Sequence, residues 1–244
     1  MGILRHSTAL AGALIISSLA SAEAADFSFP PQPVVSVPTA VPVPEYNNGW
    51  YVRGDIAYGL QEDPDLRQGG ANFNNEKLDD TWGFGAGFGY IFDEHFRADV
   101  TVDYRINADV QGVNTATGDL YETKVQNTVV LANFYYDVKS RDGFTPYIGA
   151  GLGFSHNETD TLRVFAGPTQ IGIVDGEGET ALAAAAMAGF SYHLDGGWLF
   201  DAGYRYLYMG DAKTGSTGAG VTNQLGIDDI TAHEFRFGLR YEFR

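Results

Sequence analysis

The stretch FRADVTVDYRINADV, residues 96–110, alternates without a break between apolar and polar positions. Phe96, Ala98, Val100, Val102, Tyr104, Ile106, Ala108 and Val110 share one parity. Arg97, Asp99, Thr101, Asp103, Arg105, Asn107 and Asp109 share the other. A period of two is the signature of a β-strand, whose successive side chains point to opposite faces. A helical period would scatter these charges around the axis, so a helix is excluded here.

Seven more segments obey the same rule: 50–60, 82–92, 128–138, 146–156, 182–194, 198–208 and 233–243. Together the eight hold fourteen charged side chains, six Arg, six Asp and two Glu, all on the polar parity. The apolar parity carries large aromatics, such as Trp50, Trp82, Phe84, Phe88, Trp198, Phe235 and Phe237, with Trp and Tyr gathered toward segment ends. The polar parity carries charges and glycine rows, Gly83, Gly85, Gly87 and Gly89 in the second segment and Gly149, Gly151 and Gly153 in the fifth. A soluble sandwich points its apolar face inward and seldom fills the other face with glycine. Apolar outside and polar inside is the pattern of a barrel in lipid, with interfacial aromatic girdles. Lipid offers no hydrogen bonds, so the sheet must close. The expected fold is all-β: a closed, eight-stranded antiparallel transmembrane barrel.

The connections fit that fold. Long gaps at about 61–80, 111–123, 157–180 and 209–231 alternate with the short ones DEH, KSRDGF and DGG. Long loops are expected outside the cell and tight turns in the periplasm. The Gly/Ser/Thr-rich stretch TGSTGAGVTNQ (214–224) reads as a mobile connection.

Ahead of the barrel, residues 1–24 read as a secretory signal: Arg5, an apolar core from Ala9 to Ala20, then overlapping A-x-A sites ending at Ala22 and Ala24. Residues 25–48 hold six of the nine prolines and read as a semi-rigid periplasmic spacer. The barrel occupies 49–244. The chain has no Cys, which removes disulfides, thiolate zinc sites and a Cys nucleophile. A net charge of −16 argues against nucleic acid as a partner, since that needs a basic stripe. No apolar run after residue 25 reaches the roughly 20 residues of a membrane helix.

The set GWYVRGDIAYG (49–59), TWGFGAGFGY (81–90), RADVTVDYR (97–105), ANFYYDV (132–138), TPYIGAGLGF (145–154), AGYRYLYMGD (202–211) and HEFRFGLRYEF (233–243) resembles the small eight-stranded outer-membrane barrels of Gram-negative bacteria, the OmpA/OmpX/opacity-protein type. It is similar, closer still, to the major outer-membrane barrel proteins of alphaproteobacteria. The resemblance implies residence in the cell outer membrane, display of surface loops and a C-terminal strand read by the assembly machinery. It also implies a structural, porin-like, adhesive or haemin-binding role. The chain departs from the family in ending Phe243-Arg244 instead of on an aromatic.

The lumen of such a barrel is just wide enough to be filled by side chains. Unpaired buried charge is costly, so the inward charges are expected to pair. The structural lumen charges are Arg53, Asp55, Arg97, Asp99, Asp103, Arg105, Asp201, Arg205, Arg236, Arg240 and Glu242. Contacts are expected among Arg53, Asp55, Arg240 and Glu242, and between Asp201 and Arg205 or Arg240. The glycine rows of segments two and five should leave space for the long Arg side chains of segment three. No enzyme is expected: Ser191-Tyr192-His193 is the best nucleophile candidate and sits at the periplasmic end. No His pair has metal spacing and no cofactor is implied. The primary reading is a structural and surface-display protein. A narrow porin, or a surface adhesin or haemin receptor, stands beside it. Acidic loops would meet lipopolysaccharide through shared divalent cations.

Overall fold

Eight strands carry the chain back and forth, and every one is hydrogen-bonded to both of its neighbours. The computed structural model describes residues 48–138, 142–216 and 223–243. The expected signal segment and, apart from Asn48, the Pro-rich spacer lie outside the described residues, as do 217–222 and Arg244. The barrel strands are β1 (Gly49–Gln61), β2 (Thr81–Ile91), β3 (Phe96–Asn114), β4 (Leu120–Asp137), β5 (Phe144–Thr159), β6 (Gly178–His193), β7 (Trp198–Tyr208) and β8 (Thr231–Glu242). Consecutive strands pair antiparallel. The pairing of β1 with β8, from Tyr51↔Glu242 to Gln61↔Ala232, closes the ring. Closure leaves the eight strands without an open edge between them, which is what a lipid environment demands.

Parity decides which side chains face out. Trp50, Ile56, Trp82, Phe84, Phe88, Val100, Phe134, Phe154, Phe235 and Leu239 stand exposed on the outside, while Arg53, Asp99, Arg205 and Arg240 are buried within. Aromatic pairs ring both ends. At the short-turn end Trp50 stacks on Phe88 with centroids 4.8 Å apart and Trp198 meets Tyr241 at 4.9 Å. At the other end Tyr58 meets Trp82 at 5.0 Å. Trp50 and Tyr58 lie on one strand, each paired with an aromatic across β2. Eight strand residues tilted by ~40° rise roughly 20 Å, close to the ~25 Å apolar band of an outer-membrane barrel.

Three features differ from the expectation. First, β3 and β4 run on past their expected ends, and the second long gap shrinks to a turn at 115–119. Asn114 caps that turn, its Oδ1 accepting from the Ala116 amide at 2.9 Å. Above the lipid the outer face need not be apolar, so the sequence pattern fades while the ladder continues. Second, a β-bulge interrupts β3 between Arg105 and Ala108. The extra residue reverses parity. Ala108 and Val110 therefore turn inward and are buried. Asp109, one of the fourteen charges on the polar parity, points outward and pairs with Lys124 at 3.0 Å. Third, the fourth long gap carries strands of its own on either side of the stretch read as mobile, of which residues 217–222 lie outside the described residues. Strands Ala212–Lys213 and Gly226–Asp228 join Asp65–Arg67 in a small three-stranded sheet.

The glycine rows fulfil a spatial requirement. A Cβ on Gly85 would lie 2.3 Å from Asp103 Oδ1, and one on Gly89 would lie 2.4 Å from Tyr51 Cζ. Gly54 points outward, with no atom nearer than 4.0 Å. Gly85→Val is thus expected to destabilise the barrel by about 1–3 kcal/mol through overpacking, and Gly54→Ala to leave it unchanged. Thermal unfolding of the refolded proteins, followed by the gel shift of the unboiled form, tests the contrast.

Candidate functional site

The lumen is the site that the inward parity builds. Six buried arginines, Arg53, Arg97, Arg105, Arg205, Arg236 and Arg240, meet six buried carboxylates, Asp55, Asp99, Asp103, Asp137, Asp201 and Glu234. Glu242 stands at the short-turn mouth, partly exposed, with its Oε1 3.5 Å from Arg240 Nε.

In the middle of the barrel Arg53 grips Asp55 with two bonds, Nη2 to Oδ1 at 2.7 Å and Nε to Oδ2 at 2.9 Å. Its Nη1 reaches Asp99 Oδ2 at 3.4 Å and the Tyr135 hydroxyl at 3.2 Å. Asp99 also accepts from the Tyr51 hydroxyl at 2.9 Å and from Asn133 Nδ2 at 2.8 Å. Asp103 lies between Arg205, 2.9 Å away, and Arg236, 2.8 Å away. Arg236 also reaches Asp55 at 3.3 Å. Glu234 receives Arg205 Nε at 2.6 Å and pairs with Arg105. Fork-shaped guanidinium groups suit such shared, bidentate geometry better than lysine would.

Nearer the short-turn mouth, Arg97 Nε donates to both oxygens of Asp137, at 3.1 and 2.9 Å. Its guanidinium lies 3.9 Å from the centre of the Tyr135 ring and 4.9 Å from that of Tyr147, a cation–π arrangement. Arg240 donates to Ser191 Oγ at 3.1 Å and stands 3.7 Å from Asp201, to which Ser191 donates.

The expected contacts are met in part. Arg53 with Asp55, Arg240 with Glu242, and Asp201 with Arg240 come together. The first two pairs do not join into one cluster. Arg53 and Arg240 are direct cross-strand partners, and two like charges side by side turn away from each other. Arg53 goes to Asp99, and Asp55 to Arg236. Arg205 bypasses Asp201 for Asp103 and Glu234. The glycine rows make room for a segment-three arginine at one position and for other neighbours elsewhere. Arg105 lies over Gly83, whereas Gly85 faces Asp103 and Arg236, Gly149 faces Tyr135, and Gly151 faces Asn133. Tyr51, Tyr135, Tyr147 and Asn133 complete the network. Their inward parity was readable, but nothing local marked them as ligands of the charges.

Above the charges the lumen is apolar, contrary to an all-polar expectation. Val125, Leu207, Met209 and Ala232 are buried at the long-connection end, together with Leu66, Leu162, Leu225, Ile227 and Ile230 from the connections, while Val129 and Leu131 are buried opposite Asp103 and Thr101, their ladder partners. Val129 and Leu131 share the inward parity of Asn133 and Asp137 in the segment 128–138, where both faces are apolar from Val129 to Ala132. The enclosed space among Arg53, Thr101, Asn133, Tyr135, Tyr147 and Arg205 is about 10 Å³. That holds one water at most.

On the outer rim a chain of bonds ties the first long connection to β8. Glu62 accepts from Thr231 Oγ1 at 2.6 Å and meets His233 Nε2 at 2.9 Å, while Tyr204 Oη meets His233 Nδ1. The Thr231 and His233 bonds hold the Glu62 carboxyl below its usual range. Of the other histidines, His156 contacts Thr180 at 3.0 Å and His95 stacks on Tyr136. Among the described residues no group of three or more His, Cys, Asp or Glu is arranged to hold a metal.

A closed antiparallel barrel with a lipid-facing apolar wall and an ion-paired interior is an outer-membrane β-barrel. Residues 11–243 match the outer membrane protein beta-barrel domain family, and the chain belongs to it. An uncharacterized protein of Brucella suis biovar 1 (strain 1330) is 30% identical, with 94% of this chain and 95% of the relative covered. Outer membrane protein PagN of Salmonella typhimurium is 25% identical over 80% of this chain and 82% of its own length. The crystal structure of outer membrane protein OprG from Pseudomonas aeruginosa shares the fold with a TM-score of 0.51, at 20% identity over 81% of this chain and 96% of that one. The protein resides in the outer membrane.

Two outcomes follow from the site. Arg205→Met removes one partner from two buried carboxylates and should cost about 3–5 kcal/mol. Lys124→Ala breaks only the exposed pair with Asp109 and should cost about 1 kcal/mol or less. Equal melting of the two variants would contradict the network. For Glu62, a depressed pKa means that the tie stabilises the rim above the ordinary glutamate value of 4.5 and is lost as pH falls through the folded value. Hydrogen exchange of residues 62–72 should accelerate on acidification below that range, and Glu62→Gln should abolish the step.

Proposed function

We propose that this outer-membrane barrel is a structural, surface-displaying protein and neither a pore nor an enzyme. The observation that carries the reading is the filled lumen: six buried arginines against six buried carboxylates, and buried apolar side chains toward the long connections. Such filling supports a lumen without a continuous water path. The Ser191 hydroxyl, the best nucleophile the sequence offered, is buried and engaged by Asp201 and Arg240. The long connections, by contrast, are built outward and carry their own strands. They would face the cell exterior, with the three short turns in the periplasm. Lipid surrounds the apolar wall. The acidic connections would meet lipopolysaccharide phosphates through divalent cations, and β8 would present the strand that the assembly machinery reads.

Planar-bilayer recording of the refolded barrel at high salt tests this reading. A folded but silent barrel is the expected outcome. Reproducible cation-favouring steps would overturn it in favour of the narrow porin.

A further inference from the structure

The outer wall of the barrel carries a polar recess of about 210 Å³, lined by Asn107, Lys124, Gln126, Glu158, Thr159 and Asp160. The β-bulge in β3 helps to build it. Ile106 and Asn107 are both exposed there, and Asn107 faces out where an unbroken strand would turn it inward. Asp160 is fixed in place by its backbone: its amide donates to the Lys124 carbonyl at 2.9 Å, and its carbonyl accepts from Thr123 Oγ1 at 2.9 Å. Lys124 pairs with Asp109, and Glu158 meets His156 Nε2 at 3.4 Å. Among the described residues the side-chain amides of Asn107 and Gln126 have no hydrogen-bond partner.

The outward residues change character at this height. β4 passes from Val130 to Thr128, Gln126 and Lys124, and β5 from Phe154 to His156 and Glu158. At ~3.3 Å per residue and a ~40° tilt, Gln126 stands roughly 10 Å beyond Val130, in the headgroup layer that borders the hydrocarbon. Below the recess the ladder aligns Val102, Val130 and Phe154, all exposed, as an apolar wall. Polar recess and apolar wall thus follow one another along the direction in which a lipid molecule stands.

The chemistry of the recess narrows the occupant. A small anion is disfavoured, because Glu158 and Asp160 outnumber Lys124, whose ammonium Asp109 already holds. Among the described residues no group of three or more His, Cys, Asp or Glu is arranged to hold a metal. Amides and carboxylates side by side suit hydroxyl and amide groups, which both donate and accept. We propose that the recess takes the acylated amino-sugar headgroup of an outer-leaflet glycolipid, with its acyl chains along Val102, Val130 and Phe154. Glu158 and Asp160 would accept from sugar O–H and N-acyl N–H groups, and the Asn107 and Gln126 amides would donate to ring and acyl oxygens. A glycerophospholipid has no amino sugar to offer these groups. The inference rests on the orientation of the surface-display reading, in which the long connections stand outside the cell.

The test is native mass spectrometry of the refolded barrel in detergent, with monophosphoryl lipid A and dipalmitoyl phosphatidylglycerol as probes. Lipid A is expected to bind tenfold or more tightly than the phospholipid, and diphosphoryl lipid A to bind like the monophosphoryl form. The preference should be lost in N107A/Q126A and in E158A, whose unboiled gel shifts should be unchanged because these side chains point away from the lumen. Equal binding of lipid A and phospholipid by the unaltered barrel, or an undiminished preference in either variant, overturns the proposal. An epitope inserted at Gly167 and probed on intact cells tests the orientation separately. An exposed epitope with no lipid A preference defeats the recess proposal alone, and a hidden epitope defeats surface display.

Discussion

Backbone hydrogen bonding in a solvent that cannot supply it is the constraint on which the rest of this structure depends. Each N–H and C=O inside the lipid band must find a partner within the sheet, so β1 has to meet β8. Closure then separates two environments across a single layer of chain. One parity faces hydrocarbon and becomes Trp, Phe, Leu and Val. The other faces a narrow enclosed core that cannot tolerate a lone charge. Sequence alternation, aromatic girdles and ion pairing are consequences of that one separation.

Inside, the arrangement is governed by charge balance and by volume. Arginines and carboxylates occur in equal number in the buried set, and most carboxylates serve more than one donor. The side chains need space, and the glycines of β2 and β5 supply it by bringing bare backbone against Asp103, Tyr51, Tyr135 and Asn133. A buried ion network contributes little net stability over an apolar core of the same shape, yet losing one member is costly. Such a lumen therefore favours a single register, because any slip would strand charges.

The apolar tier changes how the barrel is understood. The inward face changes along the barrel: ion pairs fill the lower and middle lumen, with Val129 and Leu131 beside them, and Val125, Leu207 and Met209 lie toward the long connections, which add Leu66, Leu225 and Ile227 to the same cluster. The upper part is packed like a small soluble domain. Its loops are consequently ordered by burial of their own apolar residues, which lets them hold out defined strands above the membrane.

The eight membrane strands, their inward and outward faces and the long–short rhythm of the connections were legible in the sequence, because each follows from a period of two read along a single strand. The partners of the charges were not. Arg53 and Arg240 are neighbours across β1 and β8 and still part, while Arg205 reaches Asp103 across the lumen, a contact set by stagger and barrel diameter. The bulge after Arg105 was equally hidden, since a perfect alternation in the residues does not reveal an unpaired one in the ladder, and it alone sends Asp109 outside. The extended ends of β3 and β4 lay beyond the lipid, where water on the outside no longer enforces a pattern. Local periodicity is a property of one strand, whereas contacts across the lumen are a property of all eight. Only the closed tertiary structure decided them.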